Sequence, residues 1–176
     1  ETQWLLSLAA CEDLPEVPPF SASAKTFLKK ISDDFSVGDA EQVKTIESTT
    51  NHDVKAVEYF LKQRVSEHKE LSAVSEFIHF GCTSEDINNL SYALMVRDAR
   101  NRILLPAVDQ MTSMLAEMAG ALADQAMLAR THGQPASPTT MGKELANVVA
   151  RLDRARDQVA TTAIRGKFNG AVGNFN

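Results

Sequence analysis

The sequence predicts an all-α fold: a small helical N-terminal domain over 1–82, then over 83–176 the first long helices of a bundle. Three observations predict it. Of 176 residues, 44% are apolar but only 6% aromatic, with Ala, Leu and Val prominent, which suits packed helices better than a sheet. The eight Gly and six Pro fall mostly between periodic segments, as helix boundaries do. From Ile87 to Leu122 apolar residues recur at helical spacing for roughly ten turns, a length typical of bundle helices.

Taken in order, residues 1–11 read as the end of a helix carrying Trp4, Leu5, Leu6 and Leu8, closed by Pro15 and Pro18-Pro19. A short helix from about 23 to 31 puts Phe27, Leu28 and Ile31 on one face. Asp39 with Gln42 reads as the N-terminal cap pair of the helix bearing Val43 and Ile46. Thr50 with Asp53 reads as a capping pair opening a helix whose stripe is Val54, Val57, Leu61 and Val65. Another short helix covers 72–79 and stops near Gly81. Thr83 with Asp86 repeats the cap-and-acid pattern before the long helix. That helix is expected to bend near Pro106 or to divide into two in line, because a Pro ring removes one backbone bond and clashes with the carbonyl four residues back. A polar turn over 125–138 follows, and Ser137 with Pro138 at the first helical position reads as the start of a last helix to about Ile164. These long helices cannot bury all their apolar faces alone and require further helices, from more chain or from partner subunits.

A formal net charge of −5 and a pI near 5.4 argue against a general nucleic-acid or anionic-membrane binder. Any anionic ligand must be held by a local field. Cys11 and Cys82 are isolated, without a ligand or redox spacing, which fits two free thiols in a reducing cytoplasm, with a single Cys11–Cys82 disulfide as the alternative. No apolar run approaches the roughly 20 residues that span a bilayer. The chain opens without Met, inside a helical pattern, and a longer parent protein is expected.

Three polar clusters sit where helices begin: Thr50-Asn51-His52-Asp53, Thr83-Ser84-Glu85-Asp86, and Arg130-Thr131-His132-Gly133-Gln134-Pro135 in the turn before the last helix. A helix start leaves backbone N–H groups free and carries a partial positive charge, which suits phosphates and carboxylates. Histidine titrates near neutral pH, so a fixed His132 is a candidate general acid or base. Taken singly, each cluster is also explained as a helix cap or a solvated turn. His79 reads as a half-buried histidine satisfied by the backbone and His68 as solvated surface. A zinc site from His52, His79 and His132 has no local ligand spacing to support it.

Together the runs Thr49–Tyr59, Phe77–Asn89, Arg130–Ala136 and Gly166–Asn174 resemble, in this order and across essentially the whole chain, the adenylosuccinate lyase family, most closely its bacterial form within the aspartase/fumarase superfamily. The Asn-His-Asp-Val and Thr-His-Gly-Gln runs separate it from argininosuccinate lyase, fumarase and aspartase. The resemblance implies an all-α homotetramer with active sites shared between subunits and no metal or organic cofactor. The implied enzyme is cytoplasmic and serves purine biosynthesis. It releases fumarate by β-elimination from adenylosuccinate, giving AMP, and from the succinocarboxamide ribotide precursor. His132 falls on the family's general acid. Asn51, His52, Asp53, Thr83, Ser84 and Thr131 fall on substrate-binding positions, with His52 also placed to orient the reacting groups. Lys167 and Asn169 lie in a motif near the site and receive no firm role. The family's N-terminal Arg-Tyr pair and its serine loop, which carries the base, have no counterpart between residues 1 and 176, so this polypeptide alone is expected to be inactive. Rival readings are another superfamily lyase, such as argininosuccinate lyase, and a non-catalytic helical oligomerisation module.

Overall fold

The computed structural model describes residues 1–175. Its regular elements are helices apart from one antiparallel hairpin, and it forms two compact units: Glu1–Ser91 with the segment from Gly166 onward, and Tyr92–Arg165.

The first unit contains α1 (Thr2–Leu8), α2 (Ala22–Asp33), α3 (Val37–Thr50), α4 (Asp53–Val65), α5 (Lys69–Ser72), a 3₁₀ turn (Ser75–Phe77) and the first half of α6 (Ser84–Ala99). Its core is the apolar stripes of these short helices. Leu5, Leu28, Phe60, Val65 and Leu71 are buried together, with Phe27, Ile31, Val43 and Ile46 packed around them. Val17 and Phe20, in the Pro-rich connection, join the same core, so this loop is fixed by packing.

The helix starts differ from the sequence expectation by one to three residues. Ser36, not Asp39, caps α3: its hydroxyl accepts from the Asp39 amide, while the Asp39 carboxylate accepts from the Ser36 amide at 2.9 Å. Asp39 is the returning acid of that box and also receives Arg64 at 2.7 Å. Thr50 does not open α4, because it is the last residue of α3. Asn51 closes α3 in the left-handed region at φ 51°, and His52 becomes the N-cap of α4. Asn tolerates that region because its short amide bonds locally.

The second unit holds the rest of α6, a π-helical turn (Arg100–Leu104), α7 (Leu105–Ala121), strands β1 (Ala126–Thr131) and β2 (Gln134–Thr140), and α8 (Met141–Thr161). The break expected near Pro106 falls one turn earlier. Leu105 N–H reaches back five residues to the Arg100 carbonyl, and Pro106 then occupies the first turn of α7, where its missing N–H is not needed. Two features draw α7 and α8 together. Gly142 lets α8 approach α7 closely, since a Cβ there would lie 2.3 Å from the Ala119 carbonyl oxygen. Arg156 clasps Asp109 with two bonds, of 2.8 and 3.1 Å.

Ser137 and Pro138 do not start the last helix. Both lie in β2, and the α8 cap is Thr140, whose hydroxyl accepts from the Lys143 amide at 3.1 Å. Pro138 pairs with Leu128 beside a register irregularity; a Pro without N–H is tolerated in a two-stranded ribbon because each strand has a free edge. The helices leave a broad apolar surface open, including Met95 at 64% exposed and Ile103 at 69%. Among the described residues no helix is long and apolar enough to cross a membrane.

Candidate functional site

In the first unit two of the three sequence clusters come together. His52 occupies the start of α4 with its ring fixed at both nitrogens. Nδ1 lies 3.3 Å from the Lys55 amide, from which it accepts in the neutral ring, and 3.3 Å from Asp53 Oδ1, to which a protonated ring would donate. Nε2 lies 3.4 Å from the Ser84 hydroxyl oxygen on the first turn of α6. Asp53 accepts its neighbour's amide, Val54 N, at 2.8 Å and the Asn88 side chain at 3.3 Å. Those bonds, the Val54 amide foremost, hold its carboxyl below the ordinary range, so it is an anion at neutral pH. Asn51, His52 and Asp53 are exposed, and Thr83 and Ser84 are half-buried. The result is an open polar surface lined by an imidazole, a carboxylate and hydroxyls, between the N-terminal ends of two helices of 13 and 16 residues. Such a surface supplies donors and positive potential to an anion without any clustered basic side chains.

The third cluster lies in the second unit. Thr131 and Gln134 pair across the hairpin, and the two residues between them, His132 and Gly133, have φ of 51° and 73°. Positive φ at both central positions is the geometry of a two-residue type I′ turn, which matches the strand twist. The imidazole of His132 is therefore carried at the tip of a tight hairpin, exposed to solvent.

The node of the first unit is a residue read from sequence only as a cap. Asp86 is buried, and its carboxylate accepts Thr83 N at 3.0 Å, Lys167 Nζ at 2.8 Å, Asn169 N at 3.1 Å and Gly170 N at 3.2 Å. Burial pushes its pKa up, but these bonds, Lys167 first, outweigh it and hold the group at about 2. The only sequence signal was the acid three positions after Thr83. That Lys167 and Asn169 are its partners could not be read from spacing.

The remaining histidines do not join these clusters. His79, at φ 68°, bonds the Glu1 carboxylate at 2.8 Å rather than the backbone. His68 is half-buried, with its ring against Phe27 and Nε2 3.3 Å from the Ser23 hydroxyl. Burial, followed by the nearby Glu1 charge, pushes the Cys82 thiol up to about 11, which keeps it protonated and a poor nucleophile. Among the described residues no group of three or more His, Cys, Asp or Glu side chains could hold a metal ion.

Comparison with known proteins defines the class. The family model described as Lyase matches residues 3–176, and the chain belongs to that family. Its relatives are adenylosuccinate lyases: over all 176 residues it is 55% identical to that of Escherichia coli (strain K12) and 54% identical to that of Vibrio cholerae serotype O1. The chain spans 39% of the length of each of these relatives. Among solved structures, beta-carboxy-cis,cis-muconate cycloisomerase from Acinetobacter calcoaceticus matches 99% of this chain and 40% of its own, with a TM-score of 0.73 and 25% identity.

Proposed function

We propose that the protein containing this chain is an adenylosuccinate lyase, releasing fumarate from adenylosuccinate and from the succinocarboxamide ribotide precursor. The observation that carries the reading is 54–55% identity to adenylosuccinate lyases over all 176 residues. In the elimination a base removes the Cβ proton, the C–N bond breaks with its electron pair passing to nitrogen, and His132 protonates that nitrogen. Thr131 flanks the acid. Asn51, His52, Asp53, Thr83 and Ser84 bind the nucleotide, whose phosphate and carboxylates suit the starts of α4 and α6. His52, held by the Lys55 amide and facing Ser84, is suited to orienting the reacting groups.

A homotetramer with active sites shared between subunits is part of the same proposal. The support is the exposed apolar surface of the second unit, with Tyr92, Met95, Ile103 and Met114 open to solvent, more than isolated surface residues account for. The cytoplasm is the proposed compartment, consistent with the free thiols of Cys11 and Cys82. The test is fumarate release from adenylosuccinate by the protein at the length of its relatives, with His132→Ala beside it. Turnover by the wild type and a loss of about 10²–10⁴ in the variant, the usual share of a general acid, are expected. A wild type inactive on this substrate would refute the proposal.

A further inference from the structure

Asp86 makes more bonds than a helix cap requires. A cap residue satisfies one or two free amides of its own helix, and Asp86 does so for Thr83 N. Its other three donors, Lys167 Nζ and the amides of Asn169 and Gly170, come from a separate segment of the first unit. Asn89, about one turn along α6, completes the seam: its Oδ1 accepts Lys167 N at 2.6 Å and its Nδ2 donates to Lys167 O at 2.9 Å. The Lys167 ammonium is engaged from within by two of its three donors, to Asp86 and to the Gly170 carbonyl at 2.7 Å.

A buried ion pair adds little net stability, because desolvation offsets the attraction between the charges. What four donors on one carboxylate do supply is a fixed geometry. The backbone they fix is the turn that presents Thr83 and Ser84, and Ser84 in turn faces His52 at 3.4 Å. We infer that Asp86 is a positioning residue for substrate binding: its buried carboxylate locks the 167–170 segment to the first turn of α6 and so holds Thr83 and Ser84 in their receiving arrangement. Lys167 is the counter-charge of that lock. The inference rests on the lyase reading and adds to it a residue that does not touch substrate.

The test is steady-state kinetics on adenylosuccinate with the protein at the length of its relatives, comparing wild type, Asp86→Asn, Lys167→Met and Val65→Ala. Val65 is fully buried in the core cluster of the first unit, which includes none of Asp86, Asn89 and Lys167, and its truncation reports what loss of stability alone does. Asp86→Asn and Lys167→Met are expected to raise KM about tenfold or more with kcat changed less than about threefold, the pattern of lost binding. Val65→Ala is expected to lower the melting temperature with KM unchanged. If Asp86→Asn does not fold, Lys167→Met still decides, because it leaves Asp86 its three backbone donors. An active wild type whose variants keep its KM, or a Val65→Ala that raises KM equally, overturns the positioning role. A wild type that releases no fumarate overturns the lyase reading itself.

Discussion

His52 Nε2 and the Ser84 hydroxyl oxygen stand 3.4 Å apart across 32 positions of sequence, so the start of α4 and the start of α6 act as one surface. The same imidazole caps α4 through Nδ1, which separates two roles by substitution. Asn is among the best N-cap residues, so His52→Asn keeps the cap and removes the imidazole. Its melting temperature is expected to equal or exceed that of wild type, while the proposed turnover of adenylosuccinate, assayed in the protein at the length of its relatives, falls by about 10² or more. Unchanged turnover in a well-folded His52→Asn protein would reduce His52 to a cap.

The hairpin tip offers a parallel separation. Asn-Gly is the preferred pair in a type I′ turn, so His132→Asn is expected to fold at least as well as wild type by thermal unfolding, with fumarate release reduced by about 10²–10⁴. Gly133→Ala does the opposite. Its φ of 73° costs an L side chain about 1–2 kcal/mol, so stability falls while the imidazole remains. A Gly133→Ala protein as stable as wild type in denaturant would contradict the turn assignment.

Acid should weaken the first unit through Asp86. Its carboxyl titrates at about 2 in the folded chain against an ordinary 3.8, so the unfolded chain takes up the proton first as pH falls. The stabilisation is fully present above the unfolded value and is lost progressively as pH drops from 3.8 towards about 2. Thermal unfolding followed across this window is expected to show a smaller pH dependence in Asp86→Asn than in wild type. Parallel curves for the two proteins would remove Asp86 from the acid response.

Gly142→Ala should destabilise the second unit without touching the site. The added methyl meets the Ala119 carbonyl oxygen at 2.3 Å and Ala123 Cα at 2.6 Å, backbone atoms that cannot rotate away. Overpacking of this kind costs about 1–3 kcal/mol, measurable as a lower midpoint in urea. No change in midpoint would mean that α7 and α8 separate freely at that contact.

The helical architecture was legible because its stripes are periodic: Leu28, Leu61 and Val65 are buried as their spacing requires. Helix starts were less so, since Thr50, Ser137 and Thr140 are all competent caps and nothing local chooses among them. Pairing chose in the last case. Once 126–131 zips to 134–140, Ser137 is committed to a strand and the cap passes to Thr140. The same limit applied at Asp86. An acid three residues after Thr83 predicts one bond, and its partnership with Lys167, Asn169 and Gly170 exists only in three dimensions.

The π-turn over Arg100–Leu104 is, in the language of repeats, a frame shift. A regular α-helix advances about 100° per residue, and one wide turn absorbs one residue more than its neighbours. The count that describes the face of α6 from Tyr92 therefore goes out of step before α7 begins. Removing any one residue between 100 and 104 would close the wide turn to a regular one and set the Pro106 ring against an intact α-helical turn, where it clashes with the carbonyl four residues back. This segment should therefore accept changes of side chain readily and changes of length hardly at all.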